Sequence, residues 1–440
     1  MKKKIVTIII AACMAASFAA CNSKGTETVV QDEQVQFDAG VTVEASKESP
    51  TGYLAHFVLE ADDEDIVAAS VGGPFLYIDP SLEVTDSKNC FQPDEFKTGY
   101  YAASMSPGTK QFYNSIPMEY SESREAYILN MPITSGAFLY SYDITYADGR
   151  RESIADPAST AVGLANPNTD TQTDSVTRSI VFGRYDEEKQ VGAPNLDYVL
   201  PKENGGQKIY VEYTGNLSDH QDLGIYLPAG YDAAREEPYK VVYASHGGGG
   251  NETDWFEAGM AGNIIDNLGL DCIVVTMNNS VYAASMEKTS STNWDYLKIE
   301  DNVINYIIPY MEANYNVSKE AKDRAFCGLS MGSLTTMHMF FDHPEAFGYF
   351  GAFSGSDMSA VNSNNTMAAT LFITCGTCDI ASSKVMPNMD EARIKYEDFT
   401  EYIAQNPMPN VIDGGYIYGG HDWFTWCQSF KTFVSDICWK

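Results

Sequence analysis

A chain of 440 residues with 44% hydrophobic and 12% aromatic content is a folded protein with room for two domains, not a disordered one. A formal charge of −32 repels polyanions, so nucleic acid is not an expected partner. Of nine cysteines, Cys13 and Cys21 fall in the N-terminal segment; the remaining seven, an odd number, do not fit a fully paired disulfide framework.

Lys2, Lys3 and Lys4 precede an apolar run from Ile5 to Ala20 that is too short and too rich in small residues for a stable membrane span. The run ends in Phe18-Ala-Ala-Cys21, which resembles a bacterial lipobox. Residues 1–20 are therefore expected to be a lipoprotein signal peptide, and Cys21 to carry lipid. An ordinary secretory signal cleaved nearby is the alternative, and both take the protein out of the cytoplasm. The expected location is a membrane-anchored one at the cell surface or in the periplasm. Residues 21–47 are polar and low in aromatics, the composition of a flexible tether.

Short strand patterns fill residues 48–160, among them Tyr53–Glu60, Ile66–Val71, Ala126–Met131 and Ala137–Tyr146, with turn residues between them. The alternation of Phe138-Leu-Tyr-Ser-Tyr-Asp-Ile-Thr-Tyr is followed by Ala147-Asp-Gly, a tight-turn signal. Several strands without a long helix predict an immunoglobulin-like β-sandwich. Its segment order, Pro117-Met118, Ala126–Ile133, the Gly136–Gly149 hairpin and Ala155-Asp-Pro, resembles the early-set domains that precede some carbohydrate esterases and are related to carbohydrate-binding module family 48. Such a module either holds a glycan or packs against its neighbour.

Residues 161–206, with Pro194, Pro201 and Gly205-Gly206, read as a linker. From 207 to 440 strands and helices alternate. Strands are expected at Gln207–Tyr213, Asp222–Leu227, Tyr239–Ser245, Cys272–Met277, Arg324–Leu329, Tyr349–Ser354, Thr370–Cys375 and Val411–Tyr418. This is the α/β class, a mostly parallel sheet with helices on both faces, and the α/β-hydrolase architecture fits it.

Between the fifth of these strands and the next helix stands Gly328-Leu-Ser-Met-Gly332, a Gly-x-Ser-x-Gly elbow that lifts the Ser330 hydroxyl above the sheet. After the third strand comes His246-Gly-Gly-Gly-Gly250, a turn whose bare amides can approach an oxyanion. The expected oxyanion donors are the Met331 amide and one from Gly247 or Gly248. The base must follow the nucleophile in this architecture, and of six histidines only His338, His343 and His421 do. His338 lies two turns down the helix, facing away, and His343 ends it; His421 follows the last strand and is the expected base. Asp379, on the turn leaving a buried strand, is the expected acid, with Asp357 second. Trp255, Trp423 and Trp426 are candidate substrate-binding walls. Cys375-Gly-Thr-Cys378 has the spacing of a metal knuckle or redox pair, but no second pair or His cluster accompanies it, so no metal is expected.

The stretches Tyr226-Leu-Pro-Ala-Gly-Tyr231, Ser245–Trp255, Gly328–Gly332, Phe353-Ser-Gly355 and Gly420-His-Asp-Trp-x-x-Trp426 resemble the esterase D group, above all carbohydrate esterase family 1, the feruloyl and acetylxylan esterases. The resemblance covers residues 207–440, and departs from the family pattern where arginine usually follows the second tryptophan, here Cys427. It implies a cofactor-free serine esterase acting on plant cell-wall polysaccharide esters by an acyl-enzyme mechanism. A siderophore or small-acyl esterase, or a non-catalytic glycan-binding lipoprotein, are the competing readings.

Overall fold

The computed structural model describes residues 37–61, 65–82, 90–103, 114–159, 178–283, 294–362, 369–385 and 395–440. The expected signal peptide, Cys21 and most of the expected tether lie outside these. The described residues belong to one compact unit, Phe37–Lys440.

Two antiparallel sheets form the N-terminal sandwich. In the first, Gly40–Ala45, Tyr53–Glu60, Ala126–Pro132 and Glu119–Ser121 pair in that order. The second centres on the eleven-residue strand Gly136–Tyr146, flanked by Arg151–Ile154 and Ile66–Gly73. Inward residues interdigitate: Phe57 of one sheet meets Tyr140 of the other edge to face, 5.0 Å between centroids. Tyr140 and Tyr142 both donate to the buried Asp156 carboxylate, at 2.6 and 3.2 Å, which gives the Ala-Asp-Pro segment its place in the core.

Two expected boundaries are corrected. Gly40–Ala45 is not tether, because its backbone completes the edge of Tyr53–Glu60. The expected 161–206 linker contains Ser179–Gly183, a strand on the first half of Gly136–Tyr146. Its later part is fixed too: Asn267 and Asn263 donate to the carbonyls of Tyr198, Val199 and Leu200. Both misreadings concern short strands in polar surroundings, where alternation has too few residues to register.

The second half is an eight-stranded sheet: β1 (Gln207–Tyr213), β2 (Gln221–Leu227), β3 (Lys240–Ser245), β4 (Cys272–Met277), β5 (Arg324–Leu329), β6 (Tyr349–Phe353), β7 (Thr370–Cys378) and β8 (Val411–Gly420). Their spatial order is β1-β2-β4-β3-β5-β6-β7-β8, antiparallel up to β4 and parallel from β4 to β8. β4 and β5 are buried at every position and apolar except at Thr276 and Arg324, as strands covered on both faces tend to be. The chain leaves β3 toward β4 on one side and returns as β5 on the other, so a switch point opens above the carboxyl ends of β3 and β5, where α/β sheets place their sites. The long helical segment after β4 is Tyr296–Asn302 and Ile308–Asn314 joined by a π-turn at Val303–Ile307.

Candidate active site

β5 delivers Ser330 in the predicted elbow. Ser330 has φ +51° and ψ −117°, outside the regions an L-residue favours. The close approach that holds it there depends on two glycines. A Cβ on Gly328 would stand 2.2 Å from the Gly332 carbonyl oxygen, and one on Gly332 2.4 Å from that of Ser245. Met331 is the first residue of the helix Met331–Asp342, so its amide has no intrahelical acceptor and faces outward at the positive end of the helix.

Register sets the partners. β7 and β8 pair Cys378 with Gly420, so the next residues, Asp379 and His421, leave the sheet side by side. His421 Nδ1–H donates to Asp379 Oδ1 at 2.7 Å, and Ser330 Oγ–H donates to His421 Nε2 at 2.9 Å. Asp379 is fully buried and also accepts from the Ala381 amide at 2.8 Å, which fixes the carboxylate that in turn fixes the imidazole tautomer. Asp422 faces away: it caps the helix Trp423–Thr432 through the Thr425 amide. Asp357, the second choice as acid, is bonded to His338 at 3.2 Å instead. His343 caps the end of the helix Met331–Asp342.

The glycine turn sits where it was expected. Ser245 pairs with Gly328 across β3 and β5, and a Cβ on Gly247 would be 3.3 Å from that of Ser330. A Cβ on Gly248 would lie 3.2 Å from Met331 Cγ, so both turn glycines adjoin the nucleophile and the residue after it. His246 is the turn's internal brace, a role the sequence did not disclose. Its Nε2 accepts from the Asn279 amide at 2.9 Å, which leaves Nδ1–H to donate to the Gly247 carbonyl at 2.6 Å. Burial holds this imidazole neutral, with its pKa pushed down to about 4.

Beside His421 opens a cavity of about 260 Å³ with a mostly apolar lining. Its hydrolase wall is His421, Trp423, Phe424 and Trp426. Its other wall belongs to the N-terminal domain: Phe138 and Leu139 of the sandwich, and Ala102 and Ala103 on and after a strand of a small separate sheet. Trp426 is held by its Nε1–H on Ser354 Oγ at 2.9 Å and meets the His421 ring edge to face at 5.1 Å. Trp255 is corrected: it is fully buried, donates to the Ser245 carbonyl at 3.0 Å, and packs edge to face on Trp423. It supports the pocket wall without lining it.

The two cysteines of the C-x-x-C stretch are not a pair. Three residues apart on one strand they face opposite ways: Cys375 enters the core below the sheet, and Cys378 packs with Ile78 and Tyr101 of the N-terminal domain. Burial pushes the Cys378 thiol up to about 12, so it is an inert packing group. Cys427 donates to the Gly259 carbonyl at 3.2 Å, inside the protein.

A nucleophile elbow on an α/β-hydrolase sheet, with a His–Asp couple on the serine, defines a serine hydrolase of that architecture. The model of the Esterase family matches residues 215–437, half the chain, and the protein belongs to that family. Over 177 residues (38% of the chain, 23% of the relative) it is 33% identical to an endo-1,4-beta-xylanase/feruloyl esterase of Xylanibacter ruminicola. Over 190 residues (39% and 16%) it is 28% identical to endo-1,4-beta-xylanase Y of Acetivibrio thermocellus. The chain thus spans less than a quarter of either relative's length. A solved CE1 ferulic acid esterase from Anaeromyces mucronatus aligns with 54% of the chain and 94% of its own, at 21% identity and a TM-score of 0.45.

Proposed function

We propose that the protein is a serine carboxylic-ester hydrolase that removes feruloyl or acetyl groups from plant xylan. The observation that carries this is the unbroken line of hydrogen bonds from Asp379 through His421 to Ser330 Oγ, with the His421 ring also lining an apolar cavity. At about 260 Å³ the cavity is smaller than the ~300–1,000 Å³ typical of sites for drug-sized ligands, which suits one ring-bearing acyl group better than a sugar chain. The names of the relatives from Xylanibacter ruminicola and Acetivibrio thermocellus support the same substrate class.

In this reading Ser330 Oγ attacks the ester carbonyl while His421 Nε2 takes its proton. Asp379 stabilises the imidazolium without itself being protonated. The Met331 amide and one from Gly247 or Gly248 receive the negative charge on the tetrahedral oxygen, a contribution worth ~100–1,000-fold per donor. His421 then gives that proton to the departing sugar oxygen, which leaves as the alcohol, and water repeats the sequence on the acyl-Ser330 ester. None of these steps draws on a cofactor.

Turnover of methyl ferulate and of acetylated xylan tests the substrate class; activity on neither would overturn it. A fluorophosphonate probe that labels the parent but not Ser330→Ala separates a hydrolase from a protein that only binds glycans. We also propose lipid attachment at Cys21 and an extracytoplasmic, membrane-anchored location, supported by the Phe18-Ala-Ala-Cys21 stretch. Metabolic labelling with an alkyne fatty acid that persists in Cys21→Ser would overturn that part.

A further inference from the structure

The helix that leaves Ser330 carries a second cluster of polar groups, about 12 Å down its axis at ~1.5 Å per residue. His338 and Asp342 stand one turn apart on one face, and Glu300, on Tyr296–Asn302, packs opposite them. One donor atom from each of Glu300, His338 and Asp342 lies within 4.8 Å of the other two.

The surrounding bonds leave particular atoms over. His338 Nε2 is engaged by Asp357 Oδ2 at 3.2 Å, and Asp357 is buried and pinned through Oδ1 by the amide and hydroxyl of Ser359. A carboxylate on Nε2 keeps the proton there and leaves a lone pair on Nδ1, which stands 3.8 Å from Asp342 Oδ2. The Tyr296 ring lies flat on the imidazole, centroids 4.2 Å apart, and prevents it from turning. Asp342 Oδ1 accepts from Asn362 at 2.8 Å, and Glu300 Oε2 faces His343 Nε2 at 3.4 Å. Glu300 Oε1 is left: it is buried, in a residue 3% exposed, with no hydrogen-bond partner among the described residues. A buried carboxylate oxygen without a partner is costly unless something cationic meets it.

We propose that Glu300, His338 and Asp342 bind one divalent transition-metal cation, Zn2+ being the best match. One imidazole with two carboxylates suits that class, whereas Ca2+ and Mg2+ favour all-oxygen sets. Donors at ~2.0 Å from zinc are ~3.3 Å apart in a tetrahedron, so the three must draw together. Asp342, whose side chain is one-third exposed, has the freedom to do this. Water supplies the remaining coordination from the adjoining cleft of about 400 Å³, lined by His338, Asp342 and Ser359. The ion ties the helix Tyr296–Asn302 to the helix behind the nucleophile and takes no part in the ester chemistry. The arrangement is invisible in sequence because Glu300 lies 38 residues before His338 on another helix.

The test is calorimetric titration of the chelator-stripped, tag-free chain with ZnCl2, CaCl2 and MgCl2. One saturable Zn2+ event per chain is expected, with no comparable response to Ca2+ or Mg2+. Glu300→Gln and the more exposed Asp342→Asn should each weaken that event at least ~100-fold, since even outer-shell partners are worth ~10–100-fold. Their far-UV circular dichroism and p-nitrophenyl acetate turnover should match the parent. No one-to-one Zn2+ event, equal binding of Ca2+, or parental Zn2+ affinity in a folded variant would each overturn the proposal.

Discussion

Tyr101 of the N-terminal domain lies flat against Tyr418 of β8, ring centroids 4.6 Å apart and planes within 6°. Its phenol meets Cys378 Sγ at 3.0 Å and accepts from Thr377 Oγ1 at 2.9 Å. These contacts fall on the strand ends that deliver Asp379 and His421. The N-terminal domain is therefore built against the triad's support, and of the two sequence readings, glycan-holding or packing, packing is what the contacts display.

Replacing Ser330 or His421 by alanine should lower kcat/KM for p-nitrophenyl acetate by ~10⁴-fold or more, with an unchanged circular dichroism spectrum. The two losses should not add, because each residue acts only through the other.

The two carboxylates that competed for the role of acid can be separated. Asp379→Asn should cost ~10⁴-fold in kcat, since an amide on Nδ1 favours the wrong tautomer. Asp357→Asn should leave kcat within a few-fold, because Asp357 serves His338 on the far part of the helix. Steady-state kinetics on both variants decides the assignment.

How far the site was legible in sequence follows from how local each signal is. The elbow and the glycine turn are contiguous motifs; chain order reduced six histidines to three, and the place after the last strand singled out His421. Asp379 was reachable because it directly follows a strong apolar strand. The brace of His246, the withdrawal of Trp255 into the core and the sandwich wall of the pocket depend on which segments meet in space. Composition makes tryptophan a wall residue as readily as a packing one; only the Ser245 carbonyl, ten residues away, settles Trp255.

Filling the cavity from the sandwich side should alter substrate choice without touching the chemistry. Ala137→Trp places an indole in the wall opposite Trp423. Its kcat/KM for methyl ferulate should fall ~10-fold or more while p-nitrophenyl acetate is turned over at the parental rate.

Stability should depend on pH through Asp254, buried beside the glycine turn, whose carboxyl burial pushes up to about 7. Its folded value lies above the unfolded ~3.9, so the folded state keeps a proton that the unfolded state gives up. Its contribution is full below about pH 4 and is lost as pH rises toward 7, on the order of 4 kcal/mol. Urea unfolding at pH 5 and pH 8 should show about two-thirds of this fall in the parent and a flatter profile in Asp254→Asn.

Gly332→Ala should not yield a soluble, active protein. The added carbon would stand 2.4 Å from the Ser245 carbonyl oxygen, and neither backbone can retreat, which costs ~3 kcal/mol or more. A thermal shift assay on any recovered material measures the loss.

A cavity with one wall on each domain separates two kinds of inheritance. Mutations at Ala102, Ala103, Phe138 or Leu139 can change what the enzyme accepts while leaving Ser330, Asp379 and His421 untouched. Recombination that exchanged either half alone would leave Phe138 and Phe424, now facing each other at 6.4 Å, without a counterpart. The two halves are thus expected to evolve as one heritable unit.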